Sequence, residues 1–147
     1  KKELFDNYLF GAYLRWANSM PVDRANEGAR ALLELIRRLQ EGWALILFPE
    51  GTRTKTGKLG EPKSGVGMAA VNASVPVVPC FIEGSFRPKW FRSRITIHFL
   101  PAFRPEEIEA PTKKEQYLLV SKRIMCDINR LYESHAARRE EAESHEL

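Results

Sequence analysis

The string Phe48-Pro49-Glu50-Gly51-Thr52-Arg53 sets a carboxylate, a glycine, a hydroxyl and a guanidinium directly behind an apolar run. If that run is a strand, these residues stand at its carboxyl end, where open α/β sheets collect their ligands. Gly51 lets a ligand approach the backbone closely, and Arg53 offers a bidentate fork for phosphate or carboxylate. Lys55, Lys58 and Lys63 add positive potential, although each lysine alone reads better as a solvated surface cation. The chemistry suited to this string is recognition of an anionic, phosphate-like group. A second cluster, Phe86 to Arg94, interleaves aromatics with four cations and includes Trp90, Phe91 and Arg92. Rings at the headgroup level and cations on anionic phosphates would make it an interfacial loop. Nucleic acid is the rival partner, and a solvated loop the plain alternative.

The elements that must position these groups follow from the spacing. Apolar residues at Leu4, Phe5, Tyr8, Leu9, Ala12, Tyr13 and Trp16 predict a helix over 1–17, either packed on a core or resting at a membrane interface. Ser19 to Arg24 is a short extended piece. Asn26 is placed to cap a helix whose stripe runs Ala29, Leu32, Leu33, Leu35, Ile36 and Leu39, with Gly42 to end it. Trp43 to Phe48 reads as a strand buried on both faces, 50–64 as loop, and Gly65 to Ala73 as a short helix capped by Ser64. Val75 to Ile82 predicts a second buried strand, bounded by Pro76 and Pro79. Arg94 to Leu100 alternates Ile95, Ile97 and Phe99 with Arg94, Thr96 and His98, a strand with one polar face. Thr112 to about Ser134 is a last helix, and 135–147 a charged tail expected to fray. The order α, β, α, β, α, β, β, α predicts an α/β fold: a mixed, largely parallel sheet with helices packed on it.

Composition narrows the class. The 147 residues are 44% hydrophobic and carry 23 basic against 19 acidic side chains, which suits one ordinary globular domain and argues against disorder. Two distant cysteines, Cys80 and Cys126, make no disulfide framework. With three histidines they show no metal-ligand spacing, so no metal is expected. The longest apolar runs fall far short of the roughly 20 residues that cross a bilayer as a helix.

The chain resembles the glycerolipid acyltransferases, above all the 1-acylglycerol-3-phosphate acyltransferases. The resemblance rests on Phe48-Pro49-Glu50-Gly51-Thr52-Arg53, on Met20-Pro21-Val22-Asp23-Arg24 upstream and on Val75-Pro76-Val77-Val78-Pro79-Cys80 downstream. Gly57-Lys58-Leu59 and Lys63-Ser64-Gly65 lie between, and the match covers about residues 1–100. It implies acyl transfer from acyl-CoA or acyl-carrier protein to the hydroxyl of 1-acylglycerol 3-phosphate, forming phosphatidate, with no cofactor and no nucleic-acid partner. It implies that Arg24 and Arg53 bind the substrate phosphate, that Glu50, Gly51 and Thr52 line the acceptor site, and that Pro76 and Pro79 shape a sheet edge near the donor. Lys63 is a supporting cation. Glu50, beside a phosphate, is expected to hold an arginine or a backbone amide rather than touch substrate. The resemblance also implies residence at the cytoplasmic face of a membrane, with Trp90, Phe91 and Arg92 as contacts.

One family feature has no counterpart here. The family's base is a histidine followed, five positions on, by an aspartate that orients it. His98 has Phe103 at that offset, His135 has Glu140, and His145 has no such residue after it. On a helix, five residues turn a pair about 140° apart, so His135 and Glu140 would not face one substrate. The family's pair lies upstream of the segment that Lys1 to Phe5 resembles. The domain over 1–134 is therefore expected to lack its N-terminal catalytic segment and to be inactive alone. The alternatives are a lipid-phosphate binding module without chemistry and an acyltransferase acting on glycerol 3-phosphate or another lysophospholipid.

Overall fold

A computed structural model describes residues 6–17, 28–52, 54, 58–85 and 94–145, with side chains to 136 in the last segment. The expected extended piece at 19–24 and the Asn26 cap lie outside them. The chain divides into two compact units, Lys1–Ala44 and Leu45–Leu147.

The first unit holds helices α1 (Tyr8–Trp16) and α2 (Gly28–Gln40). Asn7 starts α1: its Oδ1 accepts from the Phe10 amide at 3.0 Å. The aromatic stripe is a helix face as expected, but it does not pack into a core. Tyr8 and Trp16 are 88% and 80% exposed, and Phe10, Tyr13 and Trp16 stack on one another along the surface. Helix α2 ends where the sequence predicts. Gly42 takes φ +89°, the Gly42 amide donates to the Leu39 carbonyl and the Trp43 amide to that of Arg38, which closes the last turn. Glu34 binds Arg37 and Arg38 on its outer side.

The second unit is built on α3 (Ser64–Ala73) and α4 (Lys113–His145). They meet where α3 carries Gly67: a Cβ there would lie 2.0 Å from the Tyr117 carbonyl oxygen, so only glycine permits this approach. The Gly67 amide donates to Ser121 Oγ at 3.0 Å, and the Tyr117 hydroxyl to Asn72 Oδ1 at 3.1 Å. Around this contact lies the core of Ala70, Phe103, Val120, Ile124, Met125 and Ile128. Asp127, buried in the same helix, is paired by Arg123 at 2.7 Å, and Arg123 lies over the Phe103 ring. Thr112 caps α4, its Oγ1 accepting from the Glu115 amide. The helix does not stop near Ser134 but continues to His145 through Ala136-Ala137-Arg138-Arg139-Glu140, all adequate helix formers.

Among the described residues the sheet is two-stranded. Strands β1 (Cys80–Glu83) and β2 (Thr96–Phe99) pair antiparallel, Cys80 opposite Phe99 and Glu83 opposite Thr96. Two bonds between Val77 and Phe103, and one from the Leu100 amide to the Pro79 carbonyl, extend the ladder. Pro79 is fully buried and Pro76 exposed. The expected strand at 43–48 is not formed. A strand is stable through a neighbour's ladder, and no described strand pairs with this segment. Leu45 and Leu47 are half-buried, whereas Ile46 and Phe48 are 90% and 68% exposed. The parallel pairing expected from the element order is likewise not what joins β1 to β2. In β2 the alternation holds with its polar side inward: Thr96 and His98 turn towards α4, and Ile97 and Phe99 face outward. No helix among the described residues is long and apolar enough to cross a membrane.

Candidate active site

The loop behind Phe48 is a tight turn. The Gly51 amide donates to the Phe48 carbonyl at 3.0 Å, and Gly51 takes φ +65°, a conformation that side chains disfavour. The loop returns to this turn at its far end, where the Lys63 amide donates to the Pro49 carbonyl at 2.9 Å. The Lys63 side chain lies over Gly51: a Cβ on Gly51 would be 3.0 Å from Lys63 Cδ and 3.6 Å from its Nζ. The glycine thus makes room for an ammonium against the backbone. Glu50 is engaged within the loop, its Oε2 accepting from the Gly60 amide at 2.8 Å. Thr54 Oγ1 donates to the Lys58 carbonyl at 2.8 Å, and Thr52 is exposed beside the turn.

Lys63 has a second position of consequence. It is the N-cap residue of α3, one place earlier than the Ser64 cap that the sequence suggests, and its side chain makes no capping bond. Helix N-termini carry positive potential and unsatisfied amides. An ammonium, a glycine turn and a helix start therefore meet at one spot. Such a set can hold a dianion through charge and through backbone N–H groups.

Of the sequence-predicted site residues, Glu50, Gly51 and Lys63 come together and Thr52 adjoins them. Arg24, Arg53, Trp90, Phe91 and Arg92 lie outside the described residues. The Gly60 partner of Glu50 was not legible: a glycine ten residues on in a glycine-rich loop carries no specific signal. A further cluster also escaped the sequence reading, because its members come from three elements: Glu83, His98 and His135 converge between the hairpin and α4.

The family model described as Acyltransferase matches residues 1–83. Among curated proteins, the chain is 33% identical over 116 residues to the 1-acyl-sn-glycerol-3-phosphate acyltransferase of Limnanthes douglasii, covering 73% of this chain and 41% of that protein. It is 31% identical over 136 residues to the enzyme of the same name from Streptococcus pneumoniae, covering 90% of this chain and 50% of the relative. The Bacillus subtilis enzyme of that name is 37% identical over 84 residues, 57% of this chain and 41% of its own length. The chain thus spans half or less of the length of these relatives. No solved structure gives a significant match. With a family model matched over more than half its length, this chain belongs to the acyltransferase family.

Proposed function

We propose that the full protein transfers a fatty acyl group from an acyl thioester, acyl-CoA or acyl-carrier protein, to the free hydroxyl of 1-acylglycerol 3-phosphate, giving phosphatidate. The observation that carries this reading is the Gly51 turn with Lys63 laid over it at the start of α3. Three named relatives act on that acceptor, and its phosphate matches the charge and amides of this turn. Lys63 and the first amides of α3 bind the phosphate; the family resemblance implies that Arg24 and Arg53 also bind it. Glu50 keeps the loop in shape through Gly60 and stays off the anion it would repel. The held acceptor presents its hydroxyl to the thioester carbonyl. A histidine base, oriented by an aspartate in the His-x4-Asp arrangement that the resemblance implies for the full protein, takes the hydroxyl proton and passes it to the departing sulfur. The alkoxide oxygen bonds to the carbonyl carbon and the thiolate leaves.

The chemistry needs no metal or redox cofactor. The reaction sits at the cytoplasmic face of a membrane, where the lysolipid acceptor resides. The exposed rings of Tyr8, Tyr13 and Trp16 suit the headgroup level, and the composition of the Trp90, Phe91 and Arg92 cluster makes it a second membrane contact. The test is turnover by the full-length protein of 1-acylglycerol 3-phosphate, glycerol 3-phosphate and a phosphate-free monoacylglycerol, each with an acyl thioester. Preference for 1-acylglycerol 3-phosphate is expected. Binding of that lipid without release of thiol would leave the binding module standing instead, and preference for glycerol 3-phosphate would move the acceptor.

A further inference from the structure

The second unit brings two imidazoles and a carboxylate to one point from three elements. Glu83 ends β1, His98 is central in β2, and His135 lies on α4. His98 Nε2 is 3.2 Å and His135 Nδ1 is 3.5 Å from the same oxygen, Glu83 Oε2. One ligand atom from each residue lies within 4.8 Å of the others. The two imidazole rings are 4.3 Å apart between centroids, and Phe81 flanks both, at 6.1 Å from His98 and 5.8 Å from His135. All three side chains are partly buried.

We propose that Glu83, His98 and His135 form a binding site for a divalent transition-metal ion, with Zn2+ the best fit. The donor set of two imidazoles and one carboxylate is that of open zinc sites, which keep a fourth position for water or another ligand. A tetrahedral zinc with bonds of about 2.1 Å separates its ligand atoms by about 3.4 Å, and the two contacts to Glu83 bracket that value. Calcium and magnesium prefer all-oxygen shells, so the imidazoles select against them. The competing arrangement is an N–H donated by each imidazole to the Glu83 carboxylate, whereas one metal ion engages all three residues directly. The bound ion would tie the hairpin to α4 on the far side of Phe81 from the core, and so would raise stability as a ligand of the native state only. This site is separate from the Gly51 turn and does not rest on the acyl-transfer reading.

The experiment is a titration of Zn2+ into the full chain, against a chromophoric chelator, for the native protein and for Glu83→Gln, His98→Gln and His135→Gln. Loss of outer-shell partners alone weakens metal sites about 10–100-fold, so each variant is expected to bind at least about tenfold more weakly. One equivalent should bind the native chain and raise its thermal midpoint, with no rise in the variants. His135→Gln keeps a helix former on α4, and matching far-UV circular dichroism shows that it folds. Co2+ as a spectroscopic probe should give ligand-field bands without a thiolate charge-transfer band. Equal Zn2+ affinity in native and variant chains, or a thiolate band that vanishes in Cys126→Ser, would overturn the proposal.

Discussion

Two glycines two residues apart in α3 should respond to the same substitution with opposite signs. At Gly67 an added Cβ would sit 2.0 Å from the Tyr117 carbonyl oxygen and 2.7 Å from Ser121 Oγ. The first is backbone of α4, which cannot swing away as a side-chain end could. To reach ordinary contact the helices must separate by more than 1 Å, since real Cβ atoms essentially never approach within 3.0 Å. Overpacking of this kind costs about 1–3 kcal/mol, and stretching the buried Gly67–Ser121 bond adds about 1 kcal/mol. Alanine returns up to about 1 kcal/mol as the better helix former. The net for Gly67→Ala is a loss of about 1–3 kcal/mol. At Gly65 no atom lies within 4 Å of the added Cβ, so Gly65→Ala keeps only the helix gain and stabilises by up to about 1 kcal/mol. Urea unfolding followed by circular dichroism reads both. With a slope of about 2 kcal/mol per molar, Gly67→Ala lowers the midpoint by about 0.5–1.5 M, while Gly65→Ala raises it slightly. Because Lys63 is the N-cap of α3, the same displacement should raise KM for a phosphate-bearing acceptor. A Gly67→Ala protein as stable as the native chain would refute the close α3–α4 approach, and with it the platform on which Lys63 sits.

Other outcomes follow from single groups. Hydrogen bonds from Arg37 and then Arg38 hold the Glu34 carboxyl down to about 2. Its contribution to α2 is therefore complete above its unfolded value of about 4.3 and is lost as pH falls towards 2; a Glu34→Gln chain should lack that part of the acid transition in a pH-dependent unfolding series. Burial pushes the Cys80 thiol up, whereas Cys126 is exposed, so limiting iodoacetamide at neutral pH should label Cys126 first by peptide mass analysis; the reverse order contradicts the hairpin's packing. Replacing Trp90 and Phe91 by Ser should reduce sedimentation of the full protein with vesicles, anionic and neutral alike; undiminished sedimentation removes the 86–94 cluster from the membrane account.

The parts legible in the sequence are those fixed by neighbours close along the chain. Helical stripes in α1, α2 and α4, the Gly42 stop and the Thr112 start depend on three- and four-residue spacing and on caps, and each is found. What depended on distant partners was not legible. The apolar run at 43–48 reads as a strand only if strands flank it, and composition is silent on that. Alternation in β2 marks two faces without saying which meets α4, and Phe81 with His135 decides it. A run of alanine, arginine and glutamate after Ser134 is the same composition whether it frays or extends a helix. At the turn, Gly51 and Glu50 were readable as types with a purpose. The Gly60 bond and the lysine laid over the glycine depend on how a ten-residue loop returns, which local rules leave open. The Glu83–His98–His135 cluster lies furthest from legibility, since its members stand 15 residues apart across the hairpin and further still along α4.

Phosphate recognition by Arg53 and the turn over Phe48–Thr52 is the core of the proposed function. Its most direct test is the ratio of kcat/KM for 1-acylglycerol 3-phosphate to that for monoacylglycerol, measured in the full-length protein with and without Arg53→Ala. A charge-assisted hydrogen bond is worth about 1.5–3 kcal/mol, which predicts that the ratio falls about 10- to 150-fold while KM for the acyl thioester is unchanged. An unchanged ratio, with both acceptors slowed alike, would contradict the account.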